Sequence, residues 1–246
     1  MIENTSTARD TLLSTLVESC RHDRKLARRT LAKLIRRLRS AVRANHHRRT
    51  RRLVVQILRS YHCKLVALDE ANRRLKRNVR VTFEELKRRA GMLDPWRATG
   101  ERVELRSQPK PRGGFRMIMS FGLENRALQI LVGKALRVWV LPKLLSRQHL
   151  LAGGHNHAVE AASKMIERGG HRHAVELDIQ DCFGSIKVAW LKQELPLPPE
   201  VIDNVCAASH LNLIALDPTA YGHLNKSRIG IPQGSSVSSL IAELVH

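Results

Sequence analysis

Residues Glu176 to Ile186 read Glu-Leu-Asp-Ile-Gln-Asp-Cys-Phe-Gly-Ser-Ile, and the two aspartates in this stretch have the best means to do chemistry. Val175, Leu177 and Ile179 alternate with Glu176 and Asp178, so a strand over His173–Ile179 puts the aliphatics on the core face and the carboxylates on the other. An aspartate held rigidly on an open strand face is the hard oxygen ligand that Mg²⁺ takes in two-metal phosphoryl transfer. The same placement also suits a turn initiator at a strand end. Asp181, three residues on, points the opposite way along an extended chain and reads as a turn residue. Two other groups are weaker. His155, His157, His171 and His173 cluster in sequence but have no cysteine at helical spacing, and they read as a poor metal set. Gly234-Ser235-Ser236 lacks the G-x-S-x-G pattern of a hydrolase nucleophile.

The elements that must position these residues follow from periodicity. Leu31, Leu34, Ile35, Leu38 and Val42 recur at helical spacing within a basic amphipathic helix, read as running from about Thr7 to Ser40. His46 to Arg52 marks a break or the start of a second helix that carries Leu53, Val54, Ile57 and Leu58. Thr82-Phe83-Glu84-Glu85 has the form of a capping box, and Gly91 is a plausible stop for the short helix it opens. Arg102–Gln108 and Phe115–Phe121 alternate on either side of Pro111-Arg112-Gly113-Gly114, which predicts a β-hairpin with Lys110, Arg112 and Arg116 about its tip. Helices are predicted over Leu123–Leu141, stopped by Pro142, and over Asn156–Arg168, closed by Gly169-Gly170. Val188–Glu194 and Pro199–His210 also read as helical, and a last helix starts near Val237.

Four motifs in this order resemble the reverse transcriptases of the bacterial and group II intron type. Lys110-Pro111-Arg112-Gly113-Gly114-Phe115-Arg116 is similar to that family's K-x-x-G-G-x-R fingers hairpin. Glu124-Asn125-Arg126-Ala127-Leu128-Gln129 resembles its D-R-x-x-Q segment, with Asn125 where Asp is usual. Asp178-Ile179-Gln180-Asp181-Cys182-Phe183-Gly184-Ser185-Ile186 matches its palm strand, and Gly230-Ile231-Pro232-Gln233-Gly234-Ser235-Ser236-Val237-Ser238 its G-x-P-Q-G-x-x-x-S turn. The resemblance covers Lys110 to His246; the first hundred residues share only a basic helical character. It implies an α+β fold of polymerase right-hand fingers and partial palm, preceded by a basic helical region, with expected bounds of 1–60, 61–172 (fingers) and 173–246 (palm). It implies an RNA-directed DNA polymerase that adds deoxynucleotides to a primer 3′-hydroxyl, using two Mg²⁺ ions, an RNA template and a DNA or RNA primer. Asp178 would be the catalytic metal ligand, with the Ile179 carbonyl nearby. Lys110 and Arg116 would reach the triphosphate of the incoming nucleotide, and Gly113 and Gly114 permit the tight tip. Phe183 would lie beneath the sugar and select deoxynucleotides. Gln233 would close over the nucleotide, with Gly234, Ser235 and Ser236 leaving room for primer and template.

The family's aromatic-x-Asp-Asp hairpin has no counterpart, since no Asp-Asp pair occurs in the 246 residues. The palm is therefore expected to be incomplete and the thumb absent, and the competing expectation is a non-catalytic RNA-binding remnant or maturase-like splicing cofactor. The formal charge of +21 favours a polyanionic partner in either case. Residues 1–116 hold 31 Lys+Arg against 11 Asp+Glu, while residues 117–246 hold 12 against 11. Arg28, Arg36, Arg48, Arg51, Arg52, Arg112 and Arg126 are the expected nucleic-acid contacts. With aromatics at 4% of the chain, binding should rest on phosphates more than on base stacking. Four cysteines without a CxxC pair suggest reduced thiols. No signal peptide or membrane-length apolar run is evident, so an intracellular, cytoplasmic protein with no membrane partner is expected.

Overall fold

The computed structural model describes residues 3–111, 113–144, 154–169, 173, 175 and 179–245, with side chains described from Glu18 onward. It is a mixed α+β structure, mostly helical, with one three-stranded sheet. Helix α1 (Glu3–Arg43) buries Ala27, Leu31, Leu34, Leu38 and Ala41, a stripe at alternating spacings of four and three residues, while the arginines between them face outward. The chain then reverses at Asn45, whose φ of 51° lies in the left-handed region that Asn tolerates. Helix α2 (His47–Arg59) follows and buries Leu53, Val54, Ile57 and Leu58. Ser60 separates it from α3 (Tyr61–Arg74), where the Ser60 hydroxyl accepts from the Cys63 N–H at 3.4 Å.

Only half of the expected capping box forms at α4 (Phe83–Met92). The Thr82 hydroxyl accepts from the Glu85 N–H at 3.3 Å, but the Glu85 carboxylate turns away to Arg88 and Arg89, at 2.7 and 2.8 Å. The hydrogen bond from Arg88, with that from Arg89 behind it, pulls the Glu85 carboxyl down to about 2. Two guanidinium donors outcompete one backbone N–H for the same oxygens.

Helix α5 (Leu123–Val140) is the centre of the larger core, with thirteen of its eighteen residues buried. A helix apolar on nearly every side must be surrounded, and α1, α2 and α3 all pack on it. Lys134 of α5 reaches Glu70 of α3 at 2.7 Å, and Arg89 of α4 reaches Glu124 of α5 at 3.3 Å. This core extends beyond the expected boundaries at 60 and 172, from Ala27 to Ile241. The N-cap of α5 is supplied from a distance. Gly122 has no side chain to offer, so the Glu101 carboxylate accepts from the N–H groups of Glu124 (3.0 Å) and Asn125 (2.8 Å), and a Cβ at Gly122 would collide with it.

Strands β1 (Arg102–Pro109) and β2 (Phe115–Ser120) form the expected antiparallel hairpin, with Glu104 opposite Ser120 and Gln108 opposite Arg116. Its tip closes by Lys110 N–H to Gly114 O (3.0 Å) and Gly113 N–H to Lys110 O (3.1 Å), with Gly113 and Gly114 both at positive φ. Beyond α6 (Gly154–Gly169), a short α7 (Cys182–Ser185) and α8 (Val188–Glu194) lead to the segment expected as one helix over Pro199–His210. It forms α9 (Pro199–Val201), widens into a π turn over Ile202–Cys206, and ends there. The next residues make a strand that periodicity did not reveal, β3 (Asn212–Ala215), parallel to β1 with Arg102 opposite Asn212 and Leu105 opposite Ala215. The sheet order is β2-β1-β3, and a second, smaller core of Val103, Leu105, Met119, Phe121, Leu211 and Leu213 lies against it.

The expected strand His173–Ile179 falls largely outside the described residues, and Asp178 with it. Its described members are not in the sheet, and Val175 and Ile179, expected on a core face, are 83% and 48% exposed. Alternation buries one face only when another element covers it, and nothing among the described residues does so here. Among the described residues no helix is long and apolar enough to cross a membrane.

Asp217 joins the two sides of the small sheet. It caps α10 (Pro218–Gly222) through the Ala220 N–H at 2.8 Å and also accepts from the Ser107 N–H (2.9 Å) and hydroxyl (2.8 Å) on β1. The backbone hydrogen bond from Ser107, and then that from Ala220, hold its carboxyl below the usual range. Because the folded pKa lies below the unfolded one, the contribution is present above the ordinary carboxylate value of about 3.9 and is lost as pH falls through the folded value. Asp217→Asn is therefore expected to lower the urea midpoint at neutral pH, with a gap from the parent that narrows below about pH 4. A gap that stays constant with pH would sink this account of Asp217.

Candidate functional site

Three segments far apart in the chain are joined backbone to backbone around one cleft. The Met119 N–H of β2 donates to the Gln233 carbonyl at 2.9 Å, fixing the Pro232-Gln233-Gly234 turn beside the hairpin. The Ile231 N–H donates to the Phe183 carbonyl at 3.0 Å, and the Ala208 N–H to the Gly230 carbonyl at 3.0 Å. Gly230 (φ +70°) passes so close to the Phe183 carbonyl that a Cβ would overlap it, and at Gly234 (φ +106°) a Cβ would come within 2.5 Å of the Met119 carbonyl. Both approaches need glycine twice over, for the backbone angle and for the space.

Asp181 starts α7 from the left-handed region, with φ +53° and ψ +40°. Its carbonyl accepts from the Ser185 N–H at 2.9 Å. Its carboxylate lies 3.4 Å from the Lys226 ammonium, on the 3₁₀ turn Lys226–Arg228 that follows α10. The turn role expected of Asp181 is the one it plays.

The cleft has a volume of about 410 Å³ and is lined by Lys110, Arg116, Ile179, Phe183 and Gln233 together. Five of the seven residues expected to hold nucleotide or metal thus face one space. Gly234 shapes its wall through the Met119 contact, and Asp178 falls outside the described residues. Lys110 and Arg116 are exposed and make no ion pair among the described residues. Phe183 is half-buried and leans on the larger core. The cleft also takes in Phe115, His223 and Lys226, which sequence reasoning did not single out. His223 and Lys226 lie in a stretch without periodicity or motif, and Lys226 meets the site through its ion pair to Asp181. Among the described residues of the cleft, three cations, Lys110, Arg116 and Lys226, stand beside the single carboxylate of Asp181, which suits an anionic ligand.

The serines after Gln233 are held in place by hydrogen bonds. Ser235 is buried and its hydroxyl accepts from the Val237 N–H at 3.3 Å, while the Ser238 hydroxyl donates to the Pro232 carbonyl at 2.7 Å. The Ser236 N–H donates to the Gln129 Oε1 of α5 at 3.4 Å. They tie the turn to α5 and to the start of α11 (Ser238–Val245).

The expected nucleic-acid contacts divide into two groups. Arg36, Arg48, Arg51 and Arg52 are exposed on α1 and α2 with no ion pair among the described residues. Arg28 is exposed but lies 3.9 Å from Asp69. Arg126 is turned inward, donating from Nη2 to the Phe121 carbonyl at 3.1 Å, with its Nε buried and unpartnered among the described residues; its neighbour Asn125 is buried and accepts from the Thr99 hydroxyl at 3.1 Å. Arg126 therefore braces the hairpin's exit strand against α5. Arg112 lies outside the described residues. His155, His157 and His173 are exposed, and His171 is also outside them. Among the described residues no three His, Cys, Asp or Glu side chains come together as a metal set. No protein-family model matches the chain and no curated protein does, so its function has to be read from the cleft and the charged surfaces themselves.

Proposed function

We propose that the chain is the fingers and part of the palm of an RNA-directed DNA polymerase, whose basic helical N-terminal region holds RNA. The observation that supports this reading is the convergence of Lys110, Arg116, Phe183 and Gln233, drawn from three motifs, on a single cleft. In that cleft Lys110 and Arg116 bind the triphosphate of an incoming deoxynucleotide, where charge accumulates as pyrophosphate leaves. Phe183 takes the face of the sugar and disfavours a 2′-hydroxyl. Gln233, held by its carbonyl to β2, lines the same cleft and closes over the nucleotide. The reaction is attack of a primer 3′-hydroxyl on the α-phosphate. The Mg²⁺ ions expected as its cofactor need several hard oxygen ligands each. The described residues do not supply such a set by themselves, Asp178 being outside them, and the chain's 246 residues contain no Asp-Asp pair.

A second reading, an RNA-holding protein without catalysis, is favoured by a different observation. Arg36, Arg48, Arg51 and Arg52 stand exposed and away from the cleft, while Asp181, the described carboxylate nearest to Asp178 in sequence, is engaged by Lys226. Titration with a fluorescent deoxyadenosine triphosphate separates the two. On the polymerase reading the Lys110→Ala/Arg116→Ala double variant binds it at least about tenfold more weakly, since two charge-assisted phosphate contacts are lost, and Phe183→Ala keeps triphosphate binding but loses the preference over the ribonucleotide. Incorporation on an RNA template with Mg²⁺, abolished by Asp178→Ala, supports catalysis. Tight, salt-sensitive RNA binding with nucleotide affinity unchanged in all variants supports the second reading.

A further inference from the structure

A groove of about 860 Å³, separate from the candidate cleft, lies between α1, α3 and the C-terminal end of α5. Its floor is aliphatic, with Leu31, Ile35, Val66 and Val138 side by side, and exposed Ala32 leaves the middle shallow. Its walls are basic. Six of the lining side chains are Lys or Arg and one, Glu70, is acidic. That carboxylate is already committed, to Lys134 and Arg74, each at 2.7 Å. Arg39 and Arg43 on the rim are exposed and make no ion pair among the described residues.

The dimensions and chemistry of the groove select its occupant. Arg28 and Arg43, at its two ends, are fifteen residues apart on one helix, a separation of about 22 Å. That is about four helical turns, longer than a small molecule fills and the span over which a peptide helix presents anchors at i, i+3, i+4 and i+7. The cations of the walls would suit phosphates too, but the aliphatic floor offers no ring for a base to stack on, whereas nucleic acid binding without sequence preference uses both kinds of contact. Leucine or isoleucine anchors fit such a floor, and carboxylates flanking them meet the arginine rims. We propose that this groove is a docking site for an acidic amphipathic helix of a protein partner, seated with its aliphatic stripe on Leu31, Ile35, Val66 and Val138 and its carboxylates on Arg39 and Arg43. The docking site is independent of the polymerase reading and stands or falls without it.

A fluorescein-labelled helical peptide of about 18 residues, roughly 27 Å long, with leucine at heptad spacing and glutamate flanking, is titrated against the full chain at physiological salt by anisotropy. A second peptide of identical composition, scrambled to destroy the stripe, reports charge alone. The amphipathic peptide is expected to bind at least about tenfold more tightly than the scrambled one. Ala32→Glu, at an exposed position on the floor, and Arg39→Glu, on the rim, should each weaken it by about tenfold or more while circular dichroism and melting are unchanged. Equal binding of the two peptides reduces the groove to a general attraction for acid and overturns the proposal. So does an amphipathic peptide indifferent to both substitutions. If Ala32→Glu weakens a labelled oligouridylate by the same factor as the peptide, the groove takes nucleic acid, and the proposal fails on that ground too.

Discussion

Gly230→Ala is expected to lower the stability of the chain by about 2 to 5 kcal/mol and to open the candidate cleft. The estimate has two parts. An L-residue at φ +70° costs about 1 to 2 kcal/mol in the left-handed region, and forcing a methyl into a filled space costs about 1 to 3 kcal/mol more. The second part is unusually firm, because the obstructing atom is the Phe183 carbonyl, which cannot rotate away as a side chain would. Relief would require the Ile231 to Phe183 and Ala208 to Gly230 backbone bonds to lengthen, and these carry Phe183 and the Pro-Gln-Gly turn. Urea unfolding of parent and variant measures the loss. Gly133→Ala is the matched control: Gly133 is within α5 with nothing near its missing Cβ, so the change should be neutral or stabilising by up to about 1 kcal/mol. If Gly230→Ala unfolds with the parent's midpoint, the close approach of these two segments is wrong.

The second large effect is in RNA affinity. Arg48, Arg51 and Arg52 share one face of α2, at i, i+3 and i+4, opposite the face that buries Leu53, Val54, Ile57 and Leu58. Arg36 on α1 is exposed as well. For a protein that makes six phosphate contacts to a single strand, affinity should fall by about 300-fold between 50 and 200 mM salt. Replacing all four by alanine is expected to reduce the slope of log affinity against log salt by about 3, at roughly 0.7 per single-strand phosphate contact. Arg88→Ala serves as the comparison, because Arg88 is paired with Glu85 at 2.7 Å and its loss should leave the slope unchanged. Filter binding of an oligouridylate across that salt range is sufficient. An unchanged slope in the quadruple variant would move the RNA surface elsewhere.

What could be read in advance, and what could not, follows from the range of the interactions. Helices α1, α2 and α5 and the hairpin are set by patterns within a few residues, such as the Leu31–Leu34–Leu38 stripe or the two glycines at Gly113 and Gly114, and each appears where periodicity put it. Strand β3 has only four residues and its partner is β1, with Leu213 opposite Val103; no window of the sequence contains both. The N-cap of α5 is likewise remote, because Glu101 serves a helix whose own cap position is a glycine. The capping box at Thr82 was legible in outline but not in its charges, since Arg88 and Arg89 took the Glu85 carboxylate. Lys110, Arg116, Phe183 and Gln233 could be named from motif order. That they share a cleft with His223 and Lys226 depends on the backbone bonds at Met119 and Phe183, which no local pattern encodes.

The parallel pairing of β1 with β3 has a consequence for how the protein comes into being on the ribosome. Helices α1 to α5 can pack on one another as soon as residue 140 has cleared the exit tunnel, because their mutual contacts need nothing beyond that residue. The sheet cannot be completed until Ala215 emerges, and the candidate cleft must wait longer, for Gln233 to meet Met119. During synthesis the basic N-terminal surface therefore exists before the cleft does. On the reading proposed above, a nascent chain completes its surface for polyanions first, within reach of the RNA that surrounds its own translation.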